Sequence, residues 1–431
     1  MFKTALKNTG KRSISLQPKT NNMTKKRYFF LILILGLLTA LGPFSIDMYL
    51  PGFPAIAKYL HETVARVALS LSSFFVGISA GQLLYGPLLD RFGRKKPLYI
   101  GLLIYILASF GCLFVHSIEA LIALRFVQAI GSCAAGVASV AMVRDFFPVQ
   151  DSAKVFSLLM LVVGASPMIA PTVGGYVTAA FGWQSVFLIL AVMGILILLM
   201  SFFFLPDSYQ PDNSLSLKPK PIIKGFWTVL RQPQFYTYAF TGAAAFSGLF
   251  AYVSGSPLVF MDIFKVDGKV YGWIFAFLSI GLIGSSQFNS LLLKKYQSEQ
   301  IVFMSLVAQC MVTLVFFFGT WFGWFGLYGT ITMLFLFLSC LGIANPNASA
   351  LSLAPFSKNA GTASALMGAL QLGMGALASI GVSLFNTRSA LPMVSIIAGT
   401  TLLALLILLI GRNQIIQPAA VLEGQAGAVL H

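Results

Sequence analysis

The sequence predicts an all-α membrane protein of twelve transmembrane helices in two six-helix halves, and three observations predict it. Of its 431 residues, 58% are hydrophobic and only 9% charged, where soluble domains carry about 25% charged residues. Apolar runs recur at the length a bilayer needs, roughly 20 residues for a core about 30 Å thick. Basic residues gather in alternate connections between those runs, as membrane orientation demands. A soluble enzyme is thereby excluded.

The first run, about 28–50, follows a basic tail, residues 1–27. Residues 1–22 carry no acid and loosely match an organelle transit peptide. Met23, however, opens a more ordinary leader, Thr24-Lys25-Lys26-Arg27, so the preceding segment is expected to be disordered or to reflect an early start. No small-residue cleavage site ends the apolar run, so it is expected to stay as the first span.

Further spans are expected at about 66–88, 97–115, 119–142, 154–180 and 184–205. Residues 28–205 thus form an N-terminal six-helix bundle. A polar stretch, 206–232, with Pro206, Pro211, Pro219 and Pro221, reads as a cytoplasmic linker. Six more spans follow at about 234–260, 271–293, 300–319, 323–345, 360–385 and 390–411, making 233–411 the C-terminal bundle and 412–431 a cytoplasmic tail.

Net charge is +16, which in a soluble chain would suggest nucleic acid. Position argues otherwise. Eight basic residues precede Tyr28, whereas the loops on the opposite side hold only Lys58, Arg66, Lys265, Lys269 and Arg388. Both termini are therefore expected in the cytoplasm, with no nucleic-acid partner.

A weak internal repeat relates the halves: Gly81-Gln82-Leu83-Leu84 aligns with Ser286-Gln287-Phe288-Asn289, and Ala153 to Met160 with Ala360 to Met367. Such duplication points to a transporter with its site between the halves. Cys112, Cys133, Cys310 and Cys340 lie inside apolar stretches without metal or disulfide spacing and read as packing residues.

Two charges fall within spans, where insertion scales place the cost at about 2.5–3.5 kcal/mol each. Asp47 has a functional reading, a carboxylate that exchanges a proton at a water-filled cavity, and a structural one, a helix-end acid among headgroups, since Pro51 and Gly52 follow. Arg125 either faces a cavity or bridges helices. Gln128, Gly131, Ser132, Ala135 and Gly136 continue its side of the helix as a polar, closely packable face.

Between the second and third spans runs Gly86-Pro87-Leu88-Leu89-Asp90-Arg91-Phe92-Gly93-Arg94-Lys95-Lys96-Pro97. Gly86 permits close helix approach and Gly93 a tight turn. Asp90 can meet a helix N-terminus or a cation when the cytoplasmic side is shut. Arg144 and Asp145, ending the fourth span, are candidate partners.

This loop resembles the signature between helices two and three of the major facilitator superfamily. Arg125-Phe126-Val127-Gln128-Ala129-Ile130-Gly131 is similar to its second motif. Ala170-Pro171-Thr172-Val173-Gly174-Gly175 is similar to the helix-five motif of its drug/proton antiporters, with Ala170 where glycine is common. Further strings resemble the bicyclomycin/chloramphenicol-resistance (Bcr/CflA) subfamily: Asp47-Met48-Tyr49-Leu50-Pro51, Val143-Arg144-Asp145, Ala251-Tyr252-Val253-Ser254-Gly255-Ser256-Pro257, and Ala360-Gly361-Thr362-Ala363-Ser364-Ala365 with Gln371.

The resemblance implies a major facilitator fold and proton-driven export of small amphipathic drugs by a monomer in a bacterial inner membrane, with Asp47 and Arg125 matching the family's membrane-embedded charges. It also implies a gating loop at Gly86, Asp90, Arg91, Gly93, Arg94, Arg144 and Asp145. Gly164, Pro167, Pro171, Gly174 and Gly175 would bend the fifth span and help seal or gate it.

Asn345-Pro346-Asn347 interrupts the tenth span, and Tyr252 and Gln371 belong to segments expected to face the centre. With Gln128, Tyr252, Asn345, Asn347 and Gln371 are the candidate cavity residues. No nucleotide-binding loop occurs, so the proton gradient rather than ATP or a cofactor is expected to supply energy. One alternative keeps the fold and exports a neutral metabolite such as an amino acid, sugar or siderophore. A distant one is a membrane enzyme or channel, which three scattered histidines, His61, His116 and His431, do little to support.

Overall fold

The computed structural model describes residues 25–147, 149–206, 211, 219–356, 360–385 and 389–415. The leader-or-transit reading of residues 1–22, Arg388 and almost all of the C-terminal tail lie outside them.

The first bundle comprises α1 (Lys25–Asp47), the short α2 (Phe53–Tyr59), α3 (Val64–Phe92), α4 (Lys95–Leu113), α5 (Ile118–Phe146), α6 (Val149–Phe181) and α7 (Gln184–Phe204). Then come α8 (Pro219–Leu230) in the linker and the second bundle: α9 (Pro233–Pro257), α10 (Gly268–Leu292), α11 (Ser298–Trp321), α12 (Leu327–Leu353), α13 (Ala360–Leu384) and α14 (Leu391–Gly411). There is no strand among the described residues, and twelve segments are long and apolar enough to cross a membrane. The protein is an integral, multi-pass membrane protein.

Local chemistry sets the breaks. Pro51 has no N–H to offer the Asp47 carbonyl, so α1 stops at Asp47 and the chain turns through Leu50–Gly52 into α2. The first crossing is thus a broken rod reaching Tyr59 rather than one helix ending near 50. Gly93 follows α3 with φ +81°, a left-handed turn that favours glycine. Thr63, Ser117 and Asp267 cap α3, α5 and α10 by accepting from the Arg66, Ala120 and Lys269 amides.

Twelve crossings return the chain to the end where it began, here the terminus end. The halves meet along two seams, α3 against α13 and α6 against α10. On the first, Ser72 and Ser379 share a hydrogen bond of 2.6 Å and Ser79 donates to the Ala369 carbonyl at 3.0 Å, while beside it Phe75 meets Phe250 of α9 edge-on at 4.5 Å. Such polar glue between helices replaces the hydrophobic drive that lipid removes. The four cysteines are free; Cys133 and Cys310 donate weakly to the Ile78 and Thr401 carbonyls.

Candidate functional site

The site begins at the end of α1. A helix leaves its last four carbonyls without intrahelical donors, and Ser45 carries one of them. Arg125, rising from α5, fills the vacancy: Nη2 donates to the Ser45 carbonyl at 2.8 Å and Nη1 to Gln128 Oε1 at 2.5 Å. Its guanidinium lies 4.3 Å from the Tyr49 ring centre and 4.1 Å from that of Phe74. Ring faces attract a desolvated cation, so this fully enclosed charge is met by oxygen and aromatic surface within one half.

The network continues outward. Gln128 Nε2 donates to Ser109, Ser45 and Tyr105 share a 2.7 Å bond, and Tyr49 and Ser70 one of 2.9 Å. Four helices, α1, α3, α4 and α5, are thereby tied around Arg125. Of the two readings of this residue, the geometry supports the bridge between helices.

Asp47 stands two residues past Ser45 and is only 5% exposed. Among the described residues it has no hydrogen bond or ion pair. The turn that follows it, Leu50–Gly52, packs against α10 of the other half, with Pro51 3.7 Å from the Cβ position of Gly268. The acid therefore sits where the bundles meet, enclosed and unpartnered.

Closure at this level is backbone on backbone. Within the first bundle a Cβ on Gly174 would overlap the Met48 carbonyl, and across the seam one on Gly175 would lie 2.5 Å from the Gly268 carbonyl. Gly272 offers the reciprocal contact, its Cβ position 2.7 Å from Thr172 Cα. Gly164 is roomier, facing Ile283 at 3.6 Å. Toward the terminus end, Cβ atoms on Gly86, Gly284 and Gly361 would meet nothing within 4 Å. The α6–α10 seam is thus closed on backbone at the far end, whereas on the α3–α13 seam the Cβ positions of Gly368 and Gly373 lie 3.3 Å from the Gln82 and Ser79 side chains. Pro167 and Pro171 lie inside α6, which runs unbroken through both.

Sequence reading missed Gly268 and Gly272, although two glycines four apart on one helix signal close packing.

At the terminus end Arg94 joins two carboxylates, Asp90 at 2.7 Å and Asp145 at 2.8 Å. Burial works against the charge on Arg94, but hydrogen bonds and attraction from Asp145 and Asp90 outweigh it and raise its pKa. Asp90 thus finds its cation within its own loop, whereas Arg144 is exposed and outside this bridge. Arg91 is half-buried, with its guanidinium 5.8 Å from the Phe92 ring. Replacing Arg94 with Ala removes both hydrogen bonds that the guanidinium gives Asp145, whose side chain is 14% exposed. Removing one partner of a buried pair costs about 3 kcal/mol, so Arg94→Ala is expected to lower the unfolding temperature in detergent, with Arg94→Lys intermediate.

The C-terminal half holds the remaining polar groups. Gln371 Nε2 donates to Asn345 Oδ1 at 3.1 Å, both half-buried beside Gly242. Asn347 instead donates to Asn289 Oδ1 at 2.7 Å and to the Ile343 carbonyl at 2.8 Å. Asn347 and Gln128 spend their amides on neighbouring helices; Asn345 and Gln371 form the pair still partly exposed. Tyr252 stacks on Phe275, centroids 5.4 Å apart, and its enclosed hydroxyl has no partner.

Residues 35–381 match the model of the Major Facilitator Superfamily. The chain is 32% identical over 390 residues to an uncharacterized MFS-type transporter, YdgK, of Bacillus subtilis, covering 89% of this chain and 95% of that one. It is 32% identical over 378 residues to the bicyclomycin resistance protein homolog of Haemophilus influenzae, covering 86% and 92%. Against the multidrug resistance protein MdtL of Shewanella the identity is 28% over 375 residues, covering 86% and 93%. Its fold is similar to the crystal structure of a D-xylose–proton symporter, with TM-score 0.71, 13% identity, and coverage of 89% and 97%. A bacterial homolog of the lysosomal transporter Spinster, inward-facing and unoccupied, gives 0.68, 15%, 95% and 98%.

Proposed function

We propose, for a chain that belongs to the Major Facilitator Superfamily and is a transporter rather than an enzyme, that it exports small amphipathic drugs in exchange for protons by alternating access. Relatives named for bicyclomycin and multidrug resistance support the cargo class. One observation carries the coupling: an acid enclosed between the halves, without a partner, where their far ends are shut.

Burying an isolated carboxylate is far costlier than burying the neutral acid. With the far end open, Asp47 meets external solvent and takes up a proton. Once neutral it is tolerated between the halves, and the far end closes. Release of the proton toward the terminus-end opening restores the charge, which penalises the shut far end and returns the protein, with drug bound, to the opposite state. Arg125 holds the end of α1 so that the acid stays at the seam. Asn345 and Gln371 offer the cargo hydrogen bonds.

In this reading the far end is external and both termini are cytoplasmic in a bacterial inner membrane. The protein works as a monomer of two bundles, 28–205 and 233–411, joined by the linker 206–232. The Arg94 bridge braces the cytoplasmic loop.

Proteoliposomes carrying a pH-sensitive dye test the proposal. Chloramphenicol is expected to drive proton movement, whereas a neutral sugar or amino acid is not. Proton movement with the metabolite alone would replace the cargo assignment by the neutral-metabolite reading, and none with any solute would remove the coupling.

A further inference from the structure

We infer that α8, in the linker between the bundles, is an interfacial helix that takes anionic phospholipid headgroups at the membrane surface on the terminus end. From the proposed function it borrows only the orientation, which decides the leaflet concerned.

α8 ends at Leu230 and the next crossing segment begins at Pro233, so Arg231 and Gln232 alone separate the helix from the bilayer surface. One side of α8 is spent on the second bundle. Val229 is buried with Phe235 and Ala239 of α9 and Ala363 of α13, and a Cβ on Gly225 would lie 3.9 Å from Thr362. The opposite side is open. Lys220, Ile223, Lys224, Trp227 and Arg231 recur at three- and four-residue spacing, which puts them on one face, and all are exposed, Ile223 by 63% and Trp227 by 53%.

The make-up of that face selects its cover. Two large apolar side chains are unfavourable in water, whereas three cations on long apolar stems can lie beside them and still reach phosphate. The Arg231 guanidinium lies 5.2 Å from the Trp227 ring centre, so charge and ring already stand together. Tryptophan is favoured at headgroup depth. Apolar side chains flanked by Lys and Arg suit a helix lying in the headgroup boundary.

Charge then chooses among headgroups. No Asp or Glu occurs between Asp212 and Asp262, so nothing along this stretch neutralises the three cations. Residues 1–24 of the same chain are no substitute, since they hold no acid and carry Lys3, Lys7, Lys11, Arg12 and Lys19. A zwitterionic headgroup brings its phosphate with a cation of its own. An anionic one brings net charge, and each Lys or Arg near such a surface strengthens attachment about five-fold. Because Val229 holds α8 to α9 and α13, the bound lipid moors the terminus end of the second bundle to its leaflet.

The experiment uses the full chain in nanodiscs, with the fluorophore bimane attached at Thr228→Cys, an exposed position beside the proposed lipid face; the native cysteines are buried or half-buried. Acyl-brominated phosphatidylglycerol or acyl-brominated phosphatidylcholine is titrated into an unbrominated phosphatidylcholine bilayer. Both are expected to quench, and the mole fraction for half-quenching is expected to be about five-fold lower for phosphatidylglycerol. High salt is expected to erase that preference, as is the combined Lys220→Gln, Lys224→Gln and Arg231→Gln variant. The charge-preserving combination Lys220→Arg, Lys224→Arg and Arg231→Lys is expected to keep it.

Equal quenching by the two lipids, or a preference that survives removal of all three charges, overturns the inference. So does the absence of quenching by either, which would leave the exposed face to water or to a protein partner. Both leaflets of the disc carry the same lipids, so these outcomes hold whichever side the termini occupy; labelling of Thr228→Cys from outside intact cells would overturn the orientation alone.

Discussion

Asp47→Asn is expected to abolish drug-dependent proton movement in proteoliposomes, a loss of at least about 100-fold, while the purified protein folds and still binds drug. The asymmetry follows from geometry. Asn is isosteric with the neutral acid, so the enclosed position at the end of α1 accepts it without strain or buried charge. The variant mimics the proton-loaded form permanently and has nothing to release. With the far end favoured shut, drug that enters from the terminus end has no charged state to push it outward.

Downhill drug equilibration should persist at a reduced rate, which separates lost coupling from lost folding. Unchanged proton movement in the variant would show that another group carries the proton.

The second large effect is expected at the far-end seam. Gly175→Val or Gly272→Val places a branched side chain where a single Cβ already lies 2.5 Å from the Gly268 carbonyl or 2.7 Å from Thr172 Cα. The obstructing atoms are backbone, which cannot swing aside as a flexible side chain can. Overpacking of this kind costs about 1–3 kcal/mol, and it is charged only when the seam is closed, so the shut-to-open ratio falls by roughly 5- to 150-fold.

Labelling of an introduced cysteine in the seam from the external side should rise accordingly, and turnover should drop. Gly164→Ala is the control, because its Cβ would meet Ile283 at ordinary contact distance. Equal labelling of the Gly272 variant and the control would mean that this contact does not govern closure.

Much of this arrangement is legible in the residues. Twenty-residue apolar runs, the asymmetric placement of Lys and Arg, and the proline-rich linker predict twelve crossings and two bundles without any knowledge of contacts. Asp47 and Arg125 stand out because a charge in a span demands a compensating partner. The Asp90–Arg94 pair is also accessible to sequence, being four residues apart where a helix gives way to a turn. The joining of Asp145 to that pair is not, because it comes from another helix end.

What the chain determines by itself is therefore the number and length of its rods, their alternation through the bilayer, and which polar residues are embedded in them. Only tertiary structure decides how those residues are spent. Arg125 is consumed by the Ser45 carbonyl, Gln128 and two aromatic rings, while Asp47, two residues farther along, is left without a partner at the junction of the halves. Periodicity places a side chain along and around its own helix. Whether it finds a donor, an acceptor or none depends on what the neighbouring helices present at that depth, and that is settled by packing.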